Sequence, residues 1–219
     1  MIKILIADDH PLIRTGLLTT LTGEEDLQVV GEAVNANEVQ SKVLELSPDV
    51  LLLDLGMPGP SPAATVQFIQ AHCPQVKILI LTAYKDEIYV RDMIKMGVSG
   101  YVLKDEVPET LVLAIRTVMG GGAWLSQSVM QIISKQPAHQ NRQDDLLTKR
   151  EQDVLCLIAK GYSNGQIAKI LDITEGTIKN HVVSLYQKLD IHSRAEAVII
   201  AIKFVNSNRI ESIEKLIEE

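Results

Sequence analysis

No stretch of this sequence is apolar for the roughly 20 residues that a bilayer-spanning helix needs. Its opening, MIKILIADDH, lacks the extended apolar segment and small-residue cleavage site of a secretory signal. A cytoplasmic location without membrane attachment is therefore expected. Cysteine is nearly absent. Cys73 and Cys156 lie far apart, with no second Cys or His at metal-ligand spacing, so both read as buried small residues rather than a disulfide or zinc site. Aromatics make up only 4% of the chain, so its cores must be aliphatic. Bulk positive charge is also missing. The net charge of −7 gives no reason by itself to expect nucleic-acid binding. The charge is uneven, however. Residues 1–134 hold nine basic against sixteen acidic residues, whereas 146–203 hold eight against six.

The first half alternates short apolar runs with segments of helical period. Ile2–Ala7, Leu27–Val30, Val50–Leu53, Ile78–Leu81 and Val98–Leu103 read as strands. Between them, Pro11 suits a first helical turn, Asn35 and Glu38 form a capping pattern, Ser61-Pro62 reads as N-cap plus N1, and Gly97 as a C-cap. Five strands alternating with five helices imply a doubly wound parallel sheet covered on both faces. Ligands of such sheets sit beyond the carboxyl ends of the strands. Asp8, Asp9, Asp54, Thr82 and Lys104 all fall at those ends.

That set suits phosphoryl transfer to a carboxylate. Asp54 can act as nucleophile, the carboxylates can hold a hard cation such as Mg²⁺, and Thr82 and Lys104 can receive phosphoryl oxygens. The residues resemble the receiver domain of response regulators over about residues 1–120. Asp8-Asp9 match its acidic pair, Asp54 in LLLDLGMPG its phospho-acceptor, Thr82 in ILILTA its switch hydroxyl, and Tyr101 and Lys104 in GYVLK its switch aromatic and lysine. The resemblance implies a flavodoxin-like fold, a histidine kinase as phosphate donor, and Mg²⁺ held by Asp8, Asp9, Asp54 and the Gly56 carbonyl. Two positions depart from the pattern: Pro62 stands where the family usually has Gly, and Asp105 follows the lysine.

Lys135–Asp145 is polar and reads as a linker, with 121–145 forming a linker region that contains a short helix. From Leu146 the period is helical throughout. Thr148 and Glu151, Ser163, Thr174, and Ser193 with Glu196 mark four helix starts. On the third helix Ile178, Val182, Leu185 and Leu189 face inward, which turns Glu175, Lys179, Asn180, Val183 and Gln187 outward. The run from Leu147 to Ala197 resembles the LuxR-type helix-turn-helix, and a receiver joined to it defines the NarL/FixJ family. The resemblance implies base contacts from Lys179, Asn180 and Val183 and phosphate contacts from Lys188 and the Thr177 hydroxyl. It also implies a homodimer through the Ser193–Phe204 helix, whose apolar stripe is Ala197, Ile200, Ala201 and Phe204.

The expected organisation is a receiver (1–120), a linker region (121–145), a four-helix DNA-binding domain (146–206) and a polar tail (207–219). His181 reads as a packing or phosphate residue, Met93 and Met96 as core or interface, and Trp124 as packing the receiver's end against the linker. The expected function is transcription control through Asp54 phosphorylation, dimerisation and double-stranded DNA binding. No enzymatic activity is expected beyond Mg²⁺-dependent self-phosphorylation from a phosphodonor and slow autodephosphorylation. Four other readings compete. An aspartyl-phosphate phosphatase would want an acid at position 56, which is Gly; a dinucleotide enzyme would want a Gly-rich turn after the first strand. A regulator of the same architecture that works without phosphorylation stays open, as does a helical oligomerisation module in the second half.

Overall fold

The computed structural model describes residues 1–83, 87–107, 110–134 and 147–206; of 87–88, 132–134 and 202–206 only the backbone is described. The linker expected at 135–145 and the tail at 207–219 lie outside these residues. The first half is built on strands β1 (Ile2–Ala7), β2 (Leu27–Ala33), β3 (Val50–Asp54), β4 (Lys77–Thr82) and β5 (Gly100–Leu103). A sixth strand, β6 (Trp124–Leu125), was not expected. It pairs with β5, giving a parallel sheet in the order β2-β1-β3-β4-β5-β6. Two residues are too few to show a strand period. Gly100 makes room for this edge, since a Cβ there would sit 2.8 Å from the Trp124 carbonyl oxygen. Trp124 thus belongs to the sheet.

Helices α1 (Pro11–Thr22), α2 (Ala36–Leu46), α3 (Pro62–His72), α4 (Glu87–Lys95) and α5 (Leu111–Met119) cover the sheet. Both faces are apolar because successive side chains alternate sides. Ile4, Ile6, Leu52, Leu79 and Val102 pack with α1 and α5 residues such as Leu17 and Ile115. Leu5, Leu51, Leu53, Ile80 and Tyr101 pack the other way with Val39, Ile69 and Ile94. The local signals hold: Asn35 accepts from the Glu38 N–H, Ser61 caps α3 with Pro62 in its first turn, and Gly97 takes a φ of 84°. Because β1 and β3 are neighbours while their connections leave in opposite directions, the crevice opens at their carboxyl ends.

Helix α6 (Gln127–Ser134) follows β6. The second half holds α7 (Lys149–Ala159), α8 (Asn164–Ile170), α9 (Glu175–Leu189) and α10 (Arg194–Asn206). Capping boxes open α7 at Thr148/Glu151 and α8 at Ser163/Gln166. Arg150 closes α8 by donating to the Leu171 carbonyl at 2.7 Å. Helix α10 packs on α7 and also touches α6 and α4. There Ser193 Oγ donates to the Ile94 carbonyl at the end of α4 (3.0 Å) while accepting from the Glu196 N–H (3.0 Å).

Glu151 anchors the second half. Its buried carboxylate accepts from Ser184 Oγ (2.6 Å), Lys188 Nζ (2.7 Å) and the Thr148 N–H (2.8 Å). Burial pushes its pKa up, but these partners outweigh burial and hold it at about 2. A depressed folded value means stabilisation is complete above the ordinary value of about 4.3 and is lost as pH falls through about 2. Glu151→Gln should remove this dependence and cost about 2 kcal/mol, measured by thermal melts of both proteins between neutral and acid pH.

Candidate functional site

Strand ends bring the expected residues together. Asp8 and Asp9 leave β1 and Asp54 ends β3. In the sheet register Asp54 pairs with Leu81 and Thr82 with Leu103, so Thr82 and Lys104 follow one residue beyond on the neighbouring strands. Asp8 (1% exposed), Asp54 (4%) and Thr82 (0%) are buried. Lys104 Nζ lies 2.6 Å from Asp8 Oδ2 and 3.1 Å from Asp54 Oδ1, so one ammonium bridges two buried carboxylates. Burial raises the Asp54 pKa. The charge and hydrogen bond of Lys104 resist it, Asp8 adds to it, and the Gly56 N–H lowers it. Tyr101 is wholly buried on the α4 side of the sheet.

Sequence reasoning passed over two residues here. His10 Nδ1 stands 2.7 Å from Asp9 Oδ1 and 3.2 Å from Asp8 Oδ1, and its N–H donates to Asp8 at 2.9 Å. Arg14 donates to the Asp8 carbonyl (2.9 Å) and to Glu32 (3.0 Å), tying α1 to β1 and β2. His10 follows the Asp8-Asp9 pair directly as the N-cap of α1, and that adjacency was the available signal. Asp8, Asp9, His10 and Asp54 each offer a ligand atom, all within 4.8 Å of one another. Such an oxygen-rich, charge-dense set fits a hard divalent cation.

The loop after Asp54 accommodates Pro62 by placing it in the first turn of α3, and its positive φ falls on Gly59 (113°) instead. Pro62, Leu55, Gly56 and Tyr89 line a hollow of about 250 Å³ beside the acid cluster.

In the second half, Glu175, Thr177, Lys179, Asn180, Val183 and Gln187 all face solvent on α9. Val183 is 56% exposed, unusual for a large aliphatic side chain. Lys179 lies 3.4 Å from Glu175. The Thr177 and Thr174 hydroxyls share a 2.9 Å hydrogen bond. Lys188 differs from its neighbours, because its ammonium is held by Glu151. On α10, Ala197 and Ala201 are fully buried inside the chain, Ile200 is half-buried, and the Phe204 side chain lies outside the described residues.

Comparisons with known proteins identify both halves. Residues 4–116 match the response regulator receiver domain, and residues 145–201 match the luxR family of bacterial regulatory proteins. The chain is a response regulator of the NarL/FixJ family. It is 40% identical to the oxygen regulatory protein NreC of Staphylococcus epidermidis, over 92% of this chain and 97% of that protein. It is 39% identical to NreC of Staphylococcus aureus over the same shares. Among solved structures it resembles the Salmonella typhimurium response regulator RcsB, with a TM-score of 0.60 and 26% identity over 94% of this chain and 98% of that one. A structure of two RcsB dimers bound to two parallel DNAs matches with a TM-score of 0.59 and 27% identity over 93% and 98%. The protein therefore joins a receiver to a LuxR-type DNA-binding domain and controls transcription in a two-component system. No helix among its described residues is long and apolar enough to cross a membrane.

Because Lys104 both attracts and hydrogen-bonds the Asp54 carboxylate, its removal should raise the pKa of Asp54 further. Carboxyl-carbon NMR titration without divalent ions should show Asp54 of Lys104→Met titrating at higher pH than in the wild type.

Proposed function

We propose that Asp54 accepts a phosphoryl group from a partner histidine kinase and that this switches α10 between a held and a dimerising state. The observation supporting it is the single Lys104 ammonium shared by Asp8 and Asp54 at the sheet edge. An Asp54 oxygen attacks phosphorus, the P–N bond of the phosphohistidine breaks, and the departing imidazole takes up a proton. Asp8, Asp9 and Asp54, with the Gly56 carbonyl, would hold Mg²⁺, which when bound neutralises charge on the transferring group. Lys104 would shift from the Asp54 carboxylate to a phosphoryl oxygen, and the Thr82 hydroxyl would donate to another. The chain's own catalytic capacity goes no further than this self-phosphorylation and the slow reversal by water.

Coupling to DNA would run through α4. It follows β4, which ends in Thr82, and its last turn receives Ser193 at the start of α10. Repositioning Thr82 and Tyr101 would shift α4, loosen that contact, and free α10 to pair with a second copy on two half-sites of double-stranded DNA. Such a role would put the protein in the cytoplasm, where the DNA is. Lys179, Asn180 and Val183 would read base edges, with Thr177 at a phosphate. Lys188 could reach a phosphate only by leaving Glu151.

Intact-mass measurement with a small-molecule phosphodonor should give a Mg²⁺-dependent phosphoryl adduct that Asp54→Asn abolishes. No adduct from either a phosphodonor or the kinase would support a regulator that works without phosphorylation. Lys179→Ala should lose about 1–3 kcal/mol of preference for specific over random DNA. Equal losses on both DNAs, measured by fluorescence anisotropy, would refute base reading by Lys179.

A further inference from the structure

A cleft of about 590 Å³ lies between the receiver and the DNA-binding half, far too large for one trapped water. Its volume falls in the range of small-molecule sites. Glu106, Trp124 and Ser126 form part of the receiver wall, and Lys160, Gly161 and Val198 part of the facing wall. Three of these residues carry buried polar atoms without a hydrogen-bond partner among the described residues: Glu106 Oε2, Trp124 Nε1 and Ser126 Oγ. Ser126 is only 3% exposed. Buried polar groups in folded proteins nearly always have a partner, so a cluster of three on one cleft calls for one from outside the chain.

The chemistry of the walls narrows what that partner is. Glu106 supplies an acceptor with a negative charge, Trp124 a flat apolar face with one N–H donor, and Ser126 a hydroxyl. A planar cation satisfies the first, because its N–H fork suits a carboxylate, and its plane can lie against the indole, while the Trp124 N–H needs an acceptor elsewhere on the same molecule. Lys160, exposed at the end of α7, offers a positive charge to an anionic group at the other end of the same molecule. We propose that the cleft binds a small guanidinium-bearing amino acid, its guanidinium toward Glu106 and its carboxylate toward Lys160. Bound there, it ties the receiver to the DNA-binding half. Glu106 lies two residues beyond Lys104, in the short 3-10 turn Lys104–Glu106, so the site adjoins the phosphorylation chemistry without using it. The ligand would act as a second input, holding the two halves together and opposing release of α10.

Trp124 is the single tryptophan of the chain, so its fluorescence reports this cleft alone. The experiment titrates L-arginine into the full-length chain carrying Asp54→Asn, which separates the result from any failure of the phosphorylation reading. Calorimetry on the same samples detects binding that leaves the fluorescence unchanged. L-Citrulline, the neutral isostere, is the comparison. L-Arginine should give saturable binding, and L-citrulline should bind at least about tenfold more weakly, equivalent to about 1.4 kcal/mol. Glu106→Gln should remove that preference, and Ser126→Ala should weaken binding of both. Absence of saturable L-arginine binding by both readouts would overturn the proposal. So would equal binding of the two amino acids, or a preference that survives in Glu106→Gln with an unchanged melting temperature.

Discussion

Two carboxylates buried within reach of one ammonium make an unstable bargain. Asp8 and Asp54 are both buried at the sheet edge, and the charge of Asp8 disfavours ionisation of Asp54. Lys104 offsets the cost for both, with its own ammonium largely withdrawn from solvent. Removing one partner of such a cluster leaves an uncompensated charge, which is the expensive case for buried ions. Phosphorylation at Asp54, as proposed, would replace its carboxylate by a phosphoryl group and raise the negative charge there by about one. The Lys104 ammonium would then be repartitioned. A local change of charge would become a change of geometry because Lys104 would then be shared between Asp8 and a bulkier, more negative phosphoryl group.

The next step is mechanical. Thr82 ends the strand beside Asp54, α4 follows that strand, and the last turn of α4 lends a carbonyl to Ser193. Ser193 also caps α10, so one hydroxyl closes the helix and fastens it to the receiver. The outward face of α9 remains exposed in the same arrangement. What the receiver holds is thus the helix expected to dimerise, and not the helix expected to read bases. Control of assembly, rather than occlusion of the DNA-reading face, is the reading that this geometry favours.

Much of this was legible in the sequence because it rests on short-range signals. Strand ends carrying acids, a threonine and a lysine follow from apolar runs and what interrupts them, and the caps at Asn35, Ser61, Thr148 and Thr174 follow from four-residue patterns. What escaped depends on distant partners. The β6 strand is two residues long and exists because Gly100 lets a backbone approach it. Lys188 lies on a half-exposed flank of α9, and nothing local reveals that Glu151, 37 residues earlier, holds its ammonium. The apolar stripe of α10 has the right spacing for a dimer face, yet spacing cannot say whether such a stripe is spent within the chain, as at Ala197 and Ala201. His10 was overlooked because its contact with Asp9 arises from the turn into α1 rather than from any metal-ligand spacing.

The weak charge of the DNA-binding half bears on why assembly is worth controlling. Non-specific affinity for DNA comes mainly from neutralised phosphates, each adding to the counterions released. Here Lys179 is drawn toward Glu175, Lys188 is committed to Glu151, and residues 146–203 carry only two more basic than acidic residues. A single copy would therefore gain little from the phosphate backbone and depend on the base-edge contacts proposed above. Joining two copies makes the second half-site encounter intramolecular, which multiplies affinity without any new contact. A monomer with a strongly basic surface would stay on DNA whatever its receiver did. On the proposed reading, the difference between one copy and two would then become the difference between unbound and bound, and a modest event at Asp54 would suffice to decide it.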